Sequence, residues 1–264
     1  MQVVDQVIQT VRSIAQTEVM PRFLRVNAMR KHDGSQLTEA DLACQAALTA
    51  RLPDILPYPV LGEEMNSEEQ HALWNEHFDT GLWVVDPIDG TTNFVHGLPY
   101  FAISVALMRQ GKGELGVIYN PASDEMFYAR RGMGAYLNGT PLPLKSSPST
   151  LSETIASVEA KYLRSGKLTT RLMTTAPCGS QRNLGSSTLD WCYLAAGRFD
   201  LYLHGGQKLW DYAAGTVLLE EAGGQLCSLE DDDYWSSSVW HRSAVAALDP
   251  HLFEQWRRWV RQNQ

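Results

Sequence analysis

The sequence predicts a two-lobed chain of mixed α+β and α/β character, and two observations carry that reading. From Phe101 to Tyr136, short apolar runs (FAISVALM, ELGVIYNP, EMFYARR, GAYLNG) are separated by Gly, Pro, Asn or Asp, as in an antiparallel meander. After the Ser/Pro-rich joint KSSPSTLS at 145–152, strands alternate with helices instead. The lobes are therefore expected to cover 1–147 and 148–264. A chain of 264 residues with 44% hydrophobic content buries about three-quarters of its unfolded surface, enough for two lobes that share an interface.

Each element has its own signal. Val3, Val4, Val7, Ile8, Val11, Ile14 and Ala15 recur at three- and four-residue steps, the stripe of an amphipathic helix that Pro21 bends or ends. Thr38-Glu-Ala-Asp41 resembles a capped start of a second helix, which Pro53 is expected to stop, and 31–35 forms the loop between the two. Val60-Leu61 and Leu82–Val85 read as short strands, each followed by acids: Glu63-Glu64, then Asp86 and Asp89. In the second half the order is a strand in TIASVEA, a helical stretch near 161–173, a helix in LDWCYLAAG, a strand in FDLYL, a helix in DYAAGTVLLEEAGG, a strand in SAVAAL and a terminal helix from Pro250.

Composition excludes several function classes. With 22 Lys+Arg against 30 Asp+Glu the net charge is −8, which disfavours bulk nucleic-acid binding, since that relies on basic side chains neutralising phosphates. The four cysteines (Cys44, Cys178, Cys192, Cys227) show no CxxC spacing, so reduced, mostly buried thiols are expected. The first 23 residues interleave Asp5, Gln9, Arg12 and Glu18 with apolar ones, unlike a signal peptide or a membrane span, which gives the expectation of a cytoplasmic protein. Gly111-Lys-Gly-Glu-Leu-Gly116 matches GxGxxG formally, but GVIYNP follows it rather than a helix, so a hairpin turn is expected. The run Glu230–Asp233 reads as a solvated loop.

The strong signal is Trp83-Val-Val-Asp86-Pro-Ile-Asp89-Gly-Thr-Thr-Asn-Phe94. Pro87 fixes one φ and Gly90 frees another, so a tight loop at a strand end can aim both acids at one point. Adjacent carboxylates repel unless cations lie between them, and Mg²⁺ takes oxygen ligands, including a backbone carbonyl such as that of Ile88. Glu63 supplies another acid, and Asp211 stands at the start of a small-residue helix. Alone, these would read as a surface acid and an N-cap; together with Asp86 and Asp89 they supply enough oxygens for two or three cations between the lobes, as phosphoryl transfer requires.

The order GEE, WVVDPIDGTTNF, WDYAAGTVLLEEAGG resembles the inositol monophosphatase family over nearly the whole chain. That resemblance implies a Mg²⁺-dependent, lithium-sensitive phosphatase with an alternating α-β-α-β-α sandwich, of the inositol monophosphatase and fructose-1,6-bisphosphatase type, and a homodimer. It implies that Glu63, Asp86 and the Ile88 carbonyl hold one metal and Asp86, Asp89 and Asp211 a second. Glu63, Thr91 and Asp89 are the implied catalytic residues, Thr91 acting with Glu63 on a water. Gly90, Thr91 and Thr92 would face the phosphate, and Lys31, Thr38 and Asp41 a loop hosting a weaker third cation, with departures at 32–36. Asp89, Asp211, Gly185, Ser186 and Ser187 would lie along a polyol or sugar phosphate, inositol monophosphate being the leading candidate. At His204, inositol-specific members carry a glutamate; in the loop His204-Gly-Gly-Gln-Lys208, His204 and Lys208 would instead contact a second anionic group or another hydroxyl pattern, which motivates fructose 1,6-bisphosphate, adenosine 3′,5′-bisphosphate or histidinol phosphate, the alternative being a surface loop tolerant of composition. A regulatory binding protein that keeps the fold is the alternative from another class.

Overall fold

The structure, a computed structural model, describes every residue except Met1, Asn27, His32, Asp33, Ser35, Tyr162, Arg164 and Ser165. Helix α1 (Gln2–Ile14) buries its Val7, Val11 and Ile14 stripe and runs on through a π turn, Ala15–Val19, and a 3-10 turn, Met20–Arg22, that holds Pro21. A short hairpin, β1 (Met29–Arg30) and β2 (Gln36–Leu37), leads to α2 (Glu39–Ile55). The loop expected at 31–35 lies partly outside the described residues. Thr38 caps α2: its Oγ1 accepts the Ala40 N–H, and its own N–H donates to Asp41 Oδ2 at 2.7 Å. Pro53 does not stop this helix. It sits in the last turn, at the cost of the bond its N–H would have made to the Thr49 carbonyl, and the Leu56 N–H still closes onto the Leu52 carbonyl.

The first sheet holds β3 (Val60–Gly62), then, after α3 (Ser67–His77), β4 (Leu82–Asp89). After α4 (Thr91–His96) come β5 (Ala102–Arg109), β6 (Lys112–Asn120), β7 (Glu125–Arg130), β8 (Ala135–Leu137) and β9 (Thr140–Pro141). The seven strands lie side by side in chain order; β3 runs parallel to β4 and every later pair is antiparallel. The meander is therefore real.

The second sheet starts with β10 (Ile155–Glu159), followed by α5 (Lys167–Thr175), β11 (Ser180–Arg182), α6 (Ser187–Ala195), β12 (Leu201–Gln207), α7 (Leu209–Glu221), β13 (Gln225–Cys227), β14 (Arg242–Ala247) and α8 (Pro250–Asn263). Its order is β11-β10-β12-β14-β13, with the first three strands parallel. Helix α5 begins at Lys167, later than the expected 161, and residues 162, 164 and 165 of that stretch lie outside the described ones.

Alternation along the strands builds five layers. On β4, Trp83 and Val85 face α1 and α2, while Leu82 and Val84 join the core around α6 and α7. That central core also takes Tyr202, Ala244 and Ala246 from the second sheet, whose other face, with Leu201, Leu203 and Val245, is covered by α5 and α8. The result is the expected α-β-α-β-α sandwich. No helix among the described residues is long and apolar enough to cross a membrane. All four cysteines are free; Cys44, Cys192 and Cys227 are buried and Cys178 is half-buried.

Helix α7 is pressed directly onto the first sheet. A Cβ on Gly116 would stand 2.5 Å from the Ala214 carbonyl oxygen, and one on Gly215 would stand 2.4 Å from Trp191 Cβ of α6. The GxGxxG string thus has two structural uses: Gln110 and Gly111, with φ of 51° and 72°, form the two-residue β5–β6 turn, and Gly116 admits the helix backbone. Gly116→Ala is expected to destabilise the protein by about 1–3 kcal/mol through overpacking. Urea titration checks this, and an unchanged midpoint would contradict the close approach.

Candidate active site

In a regular strand, residues three apart point to opposite faces. Between Asp86 and Asp89, however, the register slips: Asp86 pairs with Ser104 and Asp89 with Ala102, so Pro87 and Ile88 together oppose the single residue Ile103. This bulge, rather than a loop beyond the strand, turns both acids to one side, and it absorbs a proline that cannot donate to the ladder. Gly90 follows with φ of 86°, and a Cβ there would lie 3.0 Å from the Tyr100 carbonyl oxygen and 3.2 Å from that of Gly185. Only glycine fits where the chain passes between the halves.

Asp211 arrives from the other half, in the first turn of α7, where its Oδ2 accepts the Lys208 N–H at 2.8 Å. One carboxylate oxygen each from Asp86, Asp89 and Asp211 lies within 4.8 Å of the other two. Glu63 stands beside this trio, its N–H donating to the Val85 carbonyl at 3.2 Å across the parallel β3–β4 pair. Its carboxylate is met by Lys31, whose Nζ lies 2.7 Å from Glu63 Oε1 and 2.7 Å from Glu64 Oε1.

So much negative charge in so little water is unfavourable. Burial pushes the Asp86 and Asp211 carboxyls well above the ordinary range; the charges of Glu63, Asp89 and Asp211 add to this at Asp86, and that of Asp89 adds to it at Asp211. Burial raises Asp89 and Glu63 too, against the hydrogen bonds of Ser186 and Thr188 on the former and the Lys31 charge on the latter. Glu64 is raised by burial and by Glu63 to about 7. Asp86 Oδ1 is buried and has no hydrogen-bond partner. Hard oxygen donors and an orphaned carboxylate oxygen suit a divalent cation such as Mg²⁺, so the residues present fit that ion.

Thr91 opens α4, and its Oγ1 donates to the Ile88 carbonyl at 2.9 Å, with Asp41 Oδ1 at 3.3 Å. Asp41, expected in a third-cation loop, is thereby tied to Thr91 and to the α2 cap. Thr92 is exposed and Gly90 half-buried at the start of the same helix. Gly185 and Ser187 flank Ser186, which is buried and whose Oγ donates to Asp89 Oδ2 at 2.6 Å. The segment from His204 to Gln207 is not a surface loop but the end of β12, where register with β14 shifts. His204 is buried, its Nδ1 accepting the Gly206 N–H at 3.1 Å, and burial lowers its pKa to about 3, with His241 acting the same way. Lys208 is exposed at the α7 start.

The inositol monophosphatase family profile matches residues 1–262. The chain belongs to the inositol monophosphatase family. Among curated relatives, it is 38% identical over 205 residues to an inositol-1-monophosphatase of Mesorhizobium japonicum, covering 76% of this chain and 74% of that one. It is 37% identical over 225 residues to inositol monophosphatase 1 of Solanum lycopersicum, covering 83% and 80%. It is also 41% identical over 170 residues to the Nus factor SuhB of Pasteurella multocida, covering 61% of each. Among solved structures, the extragenic suppressor protein suhB of Bartonella henselae superposes with a TM-score of 0.83 at 27% identity over the full length of both chains. An IMPase of Thermotoga maritima gives 0.82 at 29% over 99% of both.

Several site-forming residues of this family member escape a motif reading. Thr188 donates to Asp89 Oδ2 through both its N–H and its Oγ1, each at 2.7 Å. Gln70 Nε2 donates to the Gly62 and Glu63 carbonyls at 2.9 and 3.2 Å, and Gln45 Oε1 accepts the Glu64 N–H at 2.8 Å. None of the three carries a spacing signal; only the polar Ser-Ser-Thr run before an apolar helix hints at Thr188.

The raised carboxyls predict a pH dependence. A carboxyl whose folded pKa lies above its unfolded one stabilises the fold below the unfolded value and loses that contribution as pH rises through the folded value. For Glu64 this window runs from its ordinary 4.5 to about 7, and Asp86 and Asp211 act in the same direction. His204, whose folded pKa of about 3 lies below its ordinary 6.5, acts in the opposite sense across this range, so the expectation falls on the metal: the melting-temperature gain from Mg²⁺ is expected to grow from acid to neutral pH as the ion displaces protons. A Mg²⁺ gain independent of pH would contradict this.

Proposed function

We propose that this chain is a Mg²⁺-dependent phosphomonoesterase acting on a small polyol or sugar phosphate, with inositol monophosphate the first candidate. The observation that carries the reading is the convergence of Asp86 and Asp89, from a bulged strand, with Asp211, from a helix of the other half, around a buried oxygen that lacks a partner. Family membership and the curated relatives named inositol-1-monophosphatase support it. One solved structure in the family, at 24% identity, is of an IMPase/NADP phosphatase complexed with Mg²⁺ and phosphate.

Asp86, Asp89, Asp211, Glu63 and the Ile88 carbonyl would hold the cations, two or three in number. When bound, they supply positive charge to phosphate oxygens and make water more acidic. The Thr91 hydroxyl donates its hydrogen bond to the Ile88 carbonyl or to Asp41 Oδ1, which leaves its oxygen lone pairs free to accept from an incoming water. Glu63 would take up the proton that this water loses, and Lys31, which pairs with Glu63 and Glu64 together, would keep its charge on Glu64. Gly90, Thr91 and Thr92 would receive the phosphate, and the segment at Gly185, Ser186 and Ser187 would border the alcohol. In this reading 1–147 carries most cation ligands and 148–264 selects the substrate; the protein is a lithium-sensitive, cytoplasmic homodimer.

Lys208 keeps a second enzyme reading open, since an exposed cation beside Asp211 suits a substrate with a further anionic group, such as fructose 1,6-bisphosphate or adenosine 3′,5′-bisphosphate. Histidinol phosphate has less support, because His204 is buried in a strand. The similarity to a protein named Nus factor SuhB favours a regulatory binding role as the reading from another class.

Initial rates on inositol 1-phosphate, fructose 1,6-bisphosphate, adenosine 3′,5′-bisphosphate and histidinol phosphate are expected to favour inositol 1-phosphate and to require Mg²⁺; no hydrolysis of any of them would contradict the proposal. Glu63→Gln is expected to lower turnover by orders of magnitude with the melting temperature nearly unchanged, because it removes a ligand and a proton acceptor but no core area. Full activity in that variant would reject the role. In cells, Asp89→Asn should reproduce the deletion phenotype; a phenotype that survives the loss of phosphatase activity would favour the binding reading.

A further inference from the structure

Asp89 is one of the acids that join the two halves of the molecule. Its Oδ2 accepts from Ser186 Oγ at 2.6 Å, from the Thr188 N–H at 2.7 Å and from Thr188 Oγ1 at 2.7 Å. A carboxylate offers about four lone-pair sites over its two oxygens, so three donors exhaust Oδ2. Both donor side chains are buried, and Ser186 is at the same time the N-cap of α6, its Oγ accepting the Leu189 N–H at 3.4 Å. The Ser186 hydroxyl proton is therefore directed at Asp89 and is not available to a substrate hydroxyl.

We propose that Ser186 and Thr188 are positioning residues for Asp89: they occupy Oδ2 completely and so leave Oδ1, held in one direction, as the single oxygen this acid offers to a cation. The inference rests on reading the three aspartates as a cation site, and it deepens that reading by assigning two side chains that act on the ion through Asp89. Mg²⁺ demands near-ideal octahedral directions from its ligands. A carboxylate free to rotate about its Cβ–Cγ bond meets that demand only part of the time, whereas one clamped by the α6 start meets it continuously. The clamp also has a consequence for the fold. Because the donors belong to α6 and the carboxylate to β4, the cation ligand is set by the docking of the second half onto the first, which Asn93 reinforces by donating to the Leu184 carbonyl at 2.7 Å.

The test uses the full chain and Mn²⁺ as probe. Mn²⁺ binding is followed by electron paramagnetic resonance without substrate, alongside the Mg²⁺ dependence of phosphate-ester turnover. Thr188→Val keeps the shape and the N–H donor and removes the hydroxyl. It is expected to weaken Mn²⁺ binding about 10- to 100-fold, with Thr188→Ser within about threefold of the parent protein and Ser186→Ala between the two. Half-saturation by Mg²⁺ should move accordingly, while KM for the ester at saturating Mg²⁺ stays nearly constant in Thr188→Val, whose side chain lies outside the segment that borders the alcohol. Unchanged Mn²⁺ affinity in Thr188→Val and Ser186→Ala would overturn the inference, as would a Thr188→Ser variant as weak as Thr188→Val, since packing would then be the cause. If Thr188→Val does not fold, Ser186→Ala decides by the same criterion. Should Mn²⁺ binding weaken as expected while no phosphate ester is hydrolysed by the parent protein, the phosphatase proposal fails and this one stands. Should the parent protein hydrolyse the ester while the variants keep its Mn²⁺ affinity, the clamp fails and the phosphatase proposal stands.

Discussion

Negative charge held away from water is the constraint on which the rest of this molecule depends. Asp86, Asp89 and Asp211 bring their oxygens within 4.8 Å of one another, and Glu63 adds a further charge beside Asp86. Nothing in such a cluster is stable by itself: desolvation and mutual repulsion both oppose ionisation, and Lys31 pairs with Glu63 and Glu64 rather than with the three aspartates. A bound cation reverses the sign of the problem, making the close approach favourable. The acidic surface of the chain is no obstacle to a phosphate ligand under those conditions, because the local field is set by the ion.

The fold can be understood as the means of holding that arrangement. A bulge in β4 turns two acids to one side, a parallel neighbour strand delivers Glu63, and a helix that lies against the sheet over Gly116 delivers Asp211. Small residues on α7 are what permit the approach. The same helix packs against Trp191 of α6, whose first turn clamps Asp89. The layers and the site are thus not separable: α6 and α7, the middle layer of the sandwich, carry one of the three aspartates and hold another by hydrogen bonds.

Much of this is legible in the sequence, for reasons that differ from residue to residue. The amphipathic period of α1, the Gly- and Asn-broken meander and the switch to alternating elements after residue 147 give the layers directly, because burial imposes periods that a reader can count. The DPxD string announces a special backbone, although whether it forms a loop or a bulge depends on pairing with Ser104 and Ala102, which is tertiary information. Pro53 reads as the end of a helix that in fact outlasts it by two residues, since the ladder closes again where the Leu56 N–H meets the Leu52 carbonyl. The His204 segment reads as a loop for its glycines; pairing with β14 makes it a strand. Strands β11 and β13 are three residues each and hold no apolar alternation to detect. Thr188, Gln45 and Gln70 act through one or two hydrogen bonds each to groups that no motif links to them, which leave no local trace.

The central claim is that the three aspartates share a divalent cation. Anomalous diffraction from crystals soaked in Mn²⁺ measures this most directly. A strong peak is expected, enclosed by the carboxylate oxygens of Asp86, Asp89 and Asp211 and at metal-to-oxygen contact from each. Absence of any peak there, with the three carboxylates turned apart or protonated against one another, would contradict it.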